Sequence, residues 1–282
     1  MHVIEPVADM RDARGRLAGI VGLVPTMGAL HGGHEELLRR ARENCDAVVV
    51  SIFVNPRQFG PGEDYEAYPR DTKGDLEICR RCGVDIVLAP AVAEIYPPGD
   101  ATTVNPGPLG DILEGAHRPG HFAGVATVVT KLFNIVRPHR AYFGRKDAQQ
   151  LRVIERIVED LRLDVTIVPV PTVRDDDGLA LSSRNAYLDP AERRAATVLF
   201  RALQDARQRF AAGERDGDRL RDTMRSLLDG EPLADPEYVE VVDPATFEPL
   251  ARAAGPALAC LAVRFGPARL IDNLRLDDEV PR

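Results

Sequence analysis

No stretch of the 282-residue sequence approaches the run of about 20 apolar residues that a bilayer-spanning helix needs. The opening residues, MHVIEPVADMRDARGR, lack the apolar centre of a secretory signal. The expectation is a cytoplasmic protein without a membrane partner. Positive charge is not in excess either, with 36 Lys and Arg against 44 Asp and Glu and a net charge of −8. Phosphate contacts dominate affinity for nucleic acid, so an acidic chain is a poor general binder of it. A local basic pocket for a small anionic ligand stays open. Cysteines are few, and of the four only Cys79 and Cys82 lie close together. No second pair follows at zinc spacing, and both fall in a helical pattern, DTKGDLEICRRCG. Two inert thiols are expected there, not a metal or redox centre. Internal repeats and low-complexity tracts are also missing.

What is present is enough apolar content, 44%, for a sizeable core in one large domain or two ordinary ones. Apolar runs bounded by turns recur at 22–25, 47–54, 85–89, 141–144 and 165–170. AVVVSIFV and VTIVPV are continuous and not alternating, as strands buried on both faces of a parallel sheet are. Helical patterns at 34–44, 71–82, 121–137 and 147–160 lie between them. Strand followed by helix, repeated, predicts a doubly wound α/β domain over 1–173. Beyond that point a polar turn, two Arg- and Ala-rich helices (189–212 and 217–229) and three strand-like runs predict a smaller α+β domain over 174–282. FGPAR reads as its hairpin turn.

Ligands of doubly wound folds sit beyond the carboxyl ends of the strands, and polar motifs stand at those places. The first is MGALHGGH, after the first long strand. Its glycines permit close backbone approach, and the helix that follows offers free N–H groups and partial positive charge to an anion. His31 and His34 can donate to phosphate oxygens. A turn with histidine caps is the bland alternative. NPRQF, at 55–59, supplies the neutral amides of Asn55 and Gln58, suited to a hydroxyl- or carboxylate-bearing substrate or simply to loop architecture. Asp64, Asp71 and Asp75 follow; a carboxylate could assist Mg2+ through phosphates, but solvated acids are the ordinary case. In GRKDAQQ, Lys146 can neutralise a phosphate and Asp147 can cap a helix, with Gln150 three residues on. Ser182, Ser183 and Arg184 lie in a polar loop able to fold over a polyphosphate, or to be an ordinary surface turn.

Together PTMGALHGGH, SIFVNPRQFG, HFAGVATVVTKLFNIVRPHRAYFGRKDAQQL, DGLALSSRNAYL and RLIDNL resemble the pantothenate synthetase (pantoate–β-alanine ligase) family over almost the whole chain. The first segment belongs to the wider HxGH nucleotidyltransferases; NPxQFG and GxKDxQQ point to this family alone. The chain departs from the usual family pattern at Gly32 and Arg145, where Glu is common, and at the Glu35–Glu36 helix start.

The resemblance implies a Rossmann-like domain with a parallel sheet, a C-terminal lid domain and a cytoplasmic homodimer. It implies condensation of pantoate with β-alanine at the expense of ATP and Mg2+, through a pantoyl adenylate, with release of AMP and pyrophosphate. Met27, Gly28, Ala29, Leu30 and the HxGH residues His31, Gly32, Gly33 and His34 would run along ATP. Gly144, Arg145, Lys146 and Asp147 would also touch it. So would Val173, Leu181, Ser182, Ser183 and Arg184. Gln58 and Gln150 would hold pantoate, with Gln58 near β-alanine. Catalysis would fall to His34 as proton donor, with His31 and Lys146. No residue is assigned as a metal ligand.

Three rival readings remain at this level: a different HxGH nucleotidyltransferase, a relative of class I aminoacyl-tRNA synthetases, and a nucleotide-sensing module without activity. The paired glutamines weigh against the first and the last; chain length, acidic charge and the lack of an evident anticodon-binding module weigh against the second.

Overall fold

The computed structural model describes residues 1–278. The chain forms two compact units, one of Met1–Arg145 with Gln149–Pro171, the other of Lys146–Ala148 with the residues from Thr172 onward.

The first unit runs β1 (His2–Ile4), α1 (Val7–Arg16), β2 (Val21–Thr26), α2 (Gly32–Asn44), β3 (Ala47–Ile52), α3 (Thr72–Arg81), β4 (Ile86–Leu88), α4 (Val92–Ile95), α5 (Glu114–His117), α6 (His121–Val136), β5 (Arg140–Gly144), α7 (Ala148–Leu161) and β6 (Thr166–Val170). The six strands form one sheet in the order β1-β4-β3-β2-β5-β6, and every pairing is parallel. This is the α/β fold with a parallel sheet that the strand–helix alternation predicts.

β3, AVVVSI, shows why its sequence does not alternate. Val49 packs with Leu23, Phe122, Phe133 and Ile154 on one face, and Val48 and Val50 pack with Leu38, Ala41 and Cys79 on the other. Each fully buried valine contributes roughly 1.5–3 kcal/mol by leaving water. Branching at Cβ suits the pleated backbone, so burial and local preference agree. α6 is apolar almost all round because most of it is buried.

Strand order fixes where a ligand crevice can form. From β2 the chain steps outward to β3 and β4, then returns to place β5 and β6 on the other side of β2. Connections above β2 and β5 therefore diverge, which is the topological switch point of an open α/β sheet. β2 ends at Thr26, directly before MGALHGGH, and β5 ends at Gly144, the first residue of GRKDAQQ.

The second unit holds α8 (Pro190–Ala195), α9 (Val198–Ala211), α10 (Gly217–Asp229), β7 (Asp235–Val242), β8 (Leu258–Phe265) and β9 (Ala268–Arg275). The strands make an antiparallel meander in the order β7-β8-β9. Gly266 and Pro267 form the two-residue β8–β9 turn, and Gly266 takes φ +53°. Positive φ first and a proline-fixed φ second is the type II′ pattern that matches strand twist.

The short helices α4 and α5 lie outside the sequence expectation, and two further features differ from it. β1 and α1 lie outside it; β1 is a three-residue edge strand with only Ile4 partly buried, too short to show a pattern. The helix expected over 189–212 is two helices. Ala196 and Thr197 interrupt it with near-helical dihedrals (φ −59° and −64°), so the side-chain periodicity runs through the break.

Candidate active site

β2 hands the chain to α2 through a loop that turns sharply. Gly28 takes φ +84° and Ala29 φ +50°, the second being costly for a residue with a Cβ. A Cβ on Gly28 would stand 2.9 Å from Asp75 Oδ2 and 3.2 Å from Ile52 Cγ2, so only glycine fits. The strain is held by Asp75 in the first turn of α3. Its carboxylate accepts from the Ala29 N–H at 3.0 Å and the Leu30 N–H at 2.7 Å. The Asp71 side chain caps the same helix by accepting from Gly74 N–H at 3.0 Å. Burial raises the Asp75 pKa above its ordinary value, against the pull of the two N–H groups.

Both histidines cap α2. His31 Nδ1 accepts from the Gly33 N–H at 3.1 Å, and His34 Nδ1 accepts from the His31 N–H at 3.3 Å. This reciprocal arrangement is a capping box made of imidazoles. The bland alternative of histidine caps is thus true, and it does not compete with an anion-binding role. A ring that accepts at Nδ1 carries its proton on Nε2, which leaves Nε2–H as the donor. The two rings lie 4.2 Å apart, centre to centre, at the amino end of a 13-residue helix.

Past β3, Asn55 is buried and its amide is fully used. Its Nδ2 donates to Gln58 Oε1 at 3.0 Å and to the Gly124 carbonyl at 3.1 Å; its Oδ1 accepts from Tyr96 O–H at 2.8 Å and the Arg57 N–H at 3.3 Å. Gln58 Nε2 lies 3.1 Å from Met27 Sδ, which ties NPRQF to the HxGH loop. The backbone of Gln58 is held as firmly as its amide. His121 donates from Nδ1 to the Gln58 carbonyl at 2.8 Å, and Arg118 donates to His121 Nε2 at 3.1 Å. Arg118 in turn grips Glu63 with two bonds, at 2.8 and 2.6 Å. Burial, with the Arg118 charge adding to it, pushes the His121 pKa down to about 4, so the ring is neutral. Burial works against the Glu63 carboxylate, but Arg118 outweighs it and holds the group below its usual range. α6 comes close to this segment through Gly124, where a Cβ would collide with the Arg57 carbonyl.

In GRKDAQQ the two glutamines differ. Gln149 is buried and anchors the 109–114 loop, donating to the Leu109 and Ile112 carbonyls at 2.9 and 2.8 Å and accepting from Glu114 N–H at 3.1 Å. Gln150 is half-buried on the first turn of α7. Gly144 and Arg145 belong to the first unit with it, whereas Lys146 and Asp147 belong to the second. There, Asn273 Nδ2 donates to the Lys146 carbonyl at 2.7 Å, and Lys146 Nζ lies 3.8 Å from Asp147 Oδ1.

The second unit also carries Val173, Leu181, Ser182, Ser183 and Arg184. Leu181 N–H donates to the Val173 carbonyl at 3.0 Å, closing a short hairpin. Ser182 caps the 3-10 turn over Ser183–Tyr187 by accepting from the Arg184 N–H at 3.3 Å. At the base of that hairpin Arg174 bonds both oxygens of buried Asp272, at 2.6 and 2.9 Å, and stacks on Phe200.

Residues that sequence reasoning misses are those that hold others: His121, Arg118, Glu63, Tyr96 and Gln149. Asp75 falls among residues that read chiefly as solvated acids, yet it is 3% exposed. No local pattern marks such residues, because their partners lie 35 to 63 positions away. The Cys79 thiol is pushed up to about 12 by burial, with the Asp75 charge adding to it, which suits an inert cysteine. No helix among the described residues is long and apolar enough to cross a membrane.

The pattern of the Pantoate-beta-alanine ligase family matches residues 2–275. Pantothenate synthetase of Roseiflexus castenholzii is 59% identical over 277 residues, covering 98% of this chain and all of that one. The crystal structure of pantothenate synthetase from Thermus thermophilus superposes with a TM-score of 0.93 at 49% identity, over 98% of this chain and 99% of that one. Pantoate-beta-alanine ligase from Francisella tularensis, complexed with beta-gamma ATP and beta-alanine, superposes with a TM-score of 0.82 at 33% identity, over 99% of both chains. The chain belongs to the pantoate–beta-alanine ligase family.

Proposed function

We propose that this chain joins pantoate to β-alanine in two steps through a pantoyl adenylate, with ATP consumed in the first. Carboxylate and amine do not condense unaided, because hydroxide is a poor leaving group. In the first step a pantoate carboxylate oxygen attacks the α-phosphorus, the bond from that phosphorus to the bridging oxygen breaks, and pyrophosphate leaves. In the second the amine nitrogen of β-alanine attacks the acyl carbon. The acyl carbon–oxygen bond breaks, and AMP leaves carrying the former carboxylate oxygen.

The first step sets one anion against another, so the protein must place positive charge or oriented dipoles where negative charge grows. The observation that carries the reading is the imidazole capping box at the switch point. Two rings fixed by backbone N–H groups at Nδ1 offer Nε2–H donors beside a helix N-terminus. His34, with His31, is assigned to the developing charge on phosphate. Met27, Gly28, Gly32 and Gly33 shape the approach. Ala29 and Leu30 give their N–H groups to Asp75, so they would line the nucleotide with other atoms. Gln58 and Gln150 are assigned to pantoate, with Gln58 near β-alanine. The bonds of Asn55 make it a positioning residue for Gln58.

From the second unit, Lys146 is assigned to the phosphates, with Asp147, Val173, Leu181, Ser182, Ser183 and Arg184 along the nucleotide; Gly144 and Arg145 precede them. A lid role for this unit would keep water from the adenylate. Among the described residues no group of three or more His, Cys, Asp or Glu is placed to hold a metal ion. Mg2+ would accompany the triphosphate and neutralise part of its charge. A cytoplasmic homodimer completes the reading.

The test is to supply ATP and pantoate without β-alanine. One equivalent of pyrophosphate per site is expected, with AMP released only when β-alanine is added. Pyrophosphate that appears only in the presence of β-alanine would contradict the two-step order.

A further inference from the structure

Asp75 is a buried acid that the proposed chemistry does not use. It sits on α3, 45 and 46 positions from the backbone groups it bonds. Burying a carboxylate is costly unless hydrogen bonds replace water, and two consecutive backbone N–H groups do so here. Those groups belong to the residue with the strained φ and the residue before His31. Left-handed backbone at a non-glycine persists only where its surroundings over-determine it. Gly28 is shaped around the same carboxylate. The path is continuous: the Asp71 cap sets the start of α3, Asp75 sets Ala29 and Leu30, and these set where the His31 N–H points. That N–H is the donor to His34 Nδ1.

We propose that Asp75 is a positioning residue for the histidine pair: its carboxylate clamps the loop between β2 and α2, and so fixes the direction of both rings and the tautomer of His34. Without the clamp Ala29 relaxes, the His31 N–H turns away, and His34 can carry its proton on either nitrogen. The effect on turnover rests on the ligase reading; the effect on the rings does not.

The experiment uses the full chain labelled with nitrogen-15 at histidine, as wild type and as Asp75→Asn. Asparagine keeps the shape but sets an NH2 group against one of the two N–H groups. In wild type, His31 and His34 should show unprotonated Nδ1 and protonated Nε2. In a folded Asp75→Asn protein at least one ring should show mixed tautomers. A misplacement on the order of 1 Å costs about 10²-fold, so kcat for pyrophosphate release should fall by about that factor, with KM for pantoate little changed. Unaltered histidine signals with unaltered kcat in a folded variant would overturn the clamp. Should that variant not fold, amide exchange in the wild type decides. Ala29 and Leu30 should be protected like the core of β2, and exchange at free-loop rates would overturn the proposal. Wild type that shows the single tautomers but releases no pyrophosphate would refute the ligase reading and leave the clamp standing.

Discussion

His121 donates through Nδ1 to the backbone carbonyl of Gln58 at 2.8 Å, across 63 positions of sequence. The same ring accepts from Arg118 at Nε2, so it must stay neutral for both bonds to exist. This gives a stability signature. The folded pKa is about 4 against an ordinary 6.5, so between those values the unfolded chain binds a proton that the folded chain does not. Stability from this group is complete above the ordinary value and is lost as pH falls toward the folded one. The whole effect is on the order of 3 kcal/mol. Urea midpoints of wild type should drop between pH 7 and pH 5, and those of His121→Asn should drop less. Equal drops in the two proteins would contradict the assignment.

Asn55 and Tyr96 make a graded pair. Asn55→Ala strands the Tyr96 hydroxyl, the Gly124 carbonyl and Gln58 Oε1 together, in a buried place. Each unsatisfied group costs about 1–3 kcal/mol. Tyr96→Phe removes one donor and should cost about 1 kcal/mol. Thermal melts should rank wild type, Tyr96→Phe and Asn55→Ala in falling order, and KM for pantoate should rise along that same series.

Gly124→Ala tests the approach of α6 to the Gln58 segment. The added Cβ collides with the backbone of Arg57, which cannot move like a flexible side chain. Overpacking of this kind costs about 1–3 kcal/mol. The shift is delivered to Gln58, so KM for pantoate should rise while KM for ATP stays near the wild-type value. A parallel rise in both would place Gln58 elsewhere.

His34→Ala separates transition-state stabilisation from binding. Removal of one oriented donor costs about 10²–10³ in kcat when it acts on growing charge. A variant with normal kcat and a raised KM for ATP would make His34 a binding residue only.

Much of the fold is written locally in the chain. Continuous valine in AVVVSIFV announces a strand buried on both faces, and the matching cores on each side of β3 are the reason. Other parts have no local sign. β1 is recognised only by its pairing with β4. The break at Ala196–Thr197 keeps the helical period. Adjacent Gln149 and Gln150 are identical in sequence, and only the 109–114 loop shows that Gln149 is an anchor. Histidine caps and phosphate donors need not be rival readings of HGGH, because the caps use only Nδ1 of each ring. Asp75 reads as a solvated acid because its burial depends on a loop brought alongside α3 by the sheet.

The most direct test of the adenylate follows an oxygen atom. With pantoate labelled with oxygen-18 in its carboxylate, the two-step route predicts one labelled oxygen in each AMP released and none in pyrophosphate. AMP without label would contradict the account, because the carboxylate would then never have bonded to the α-phosphorus.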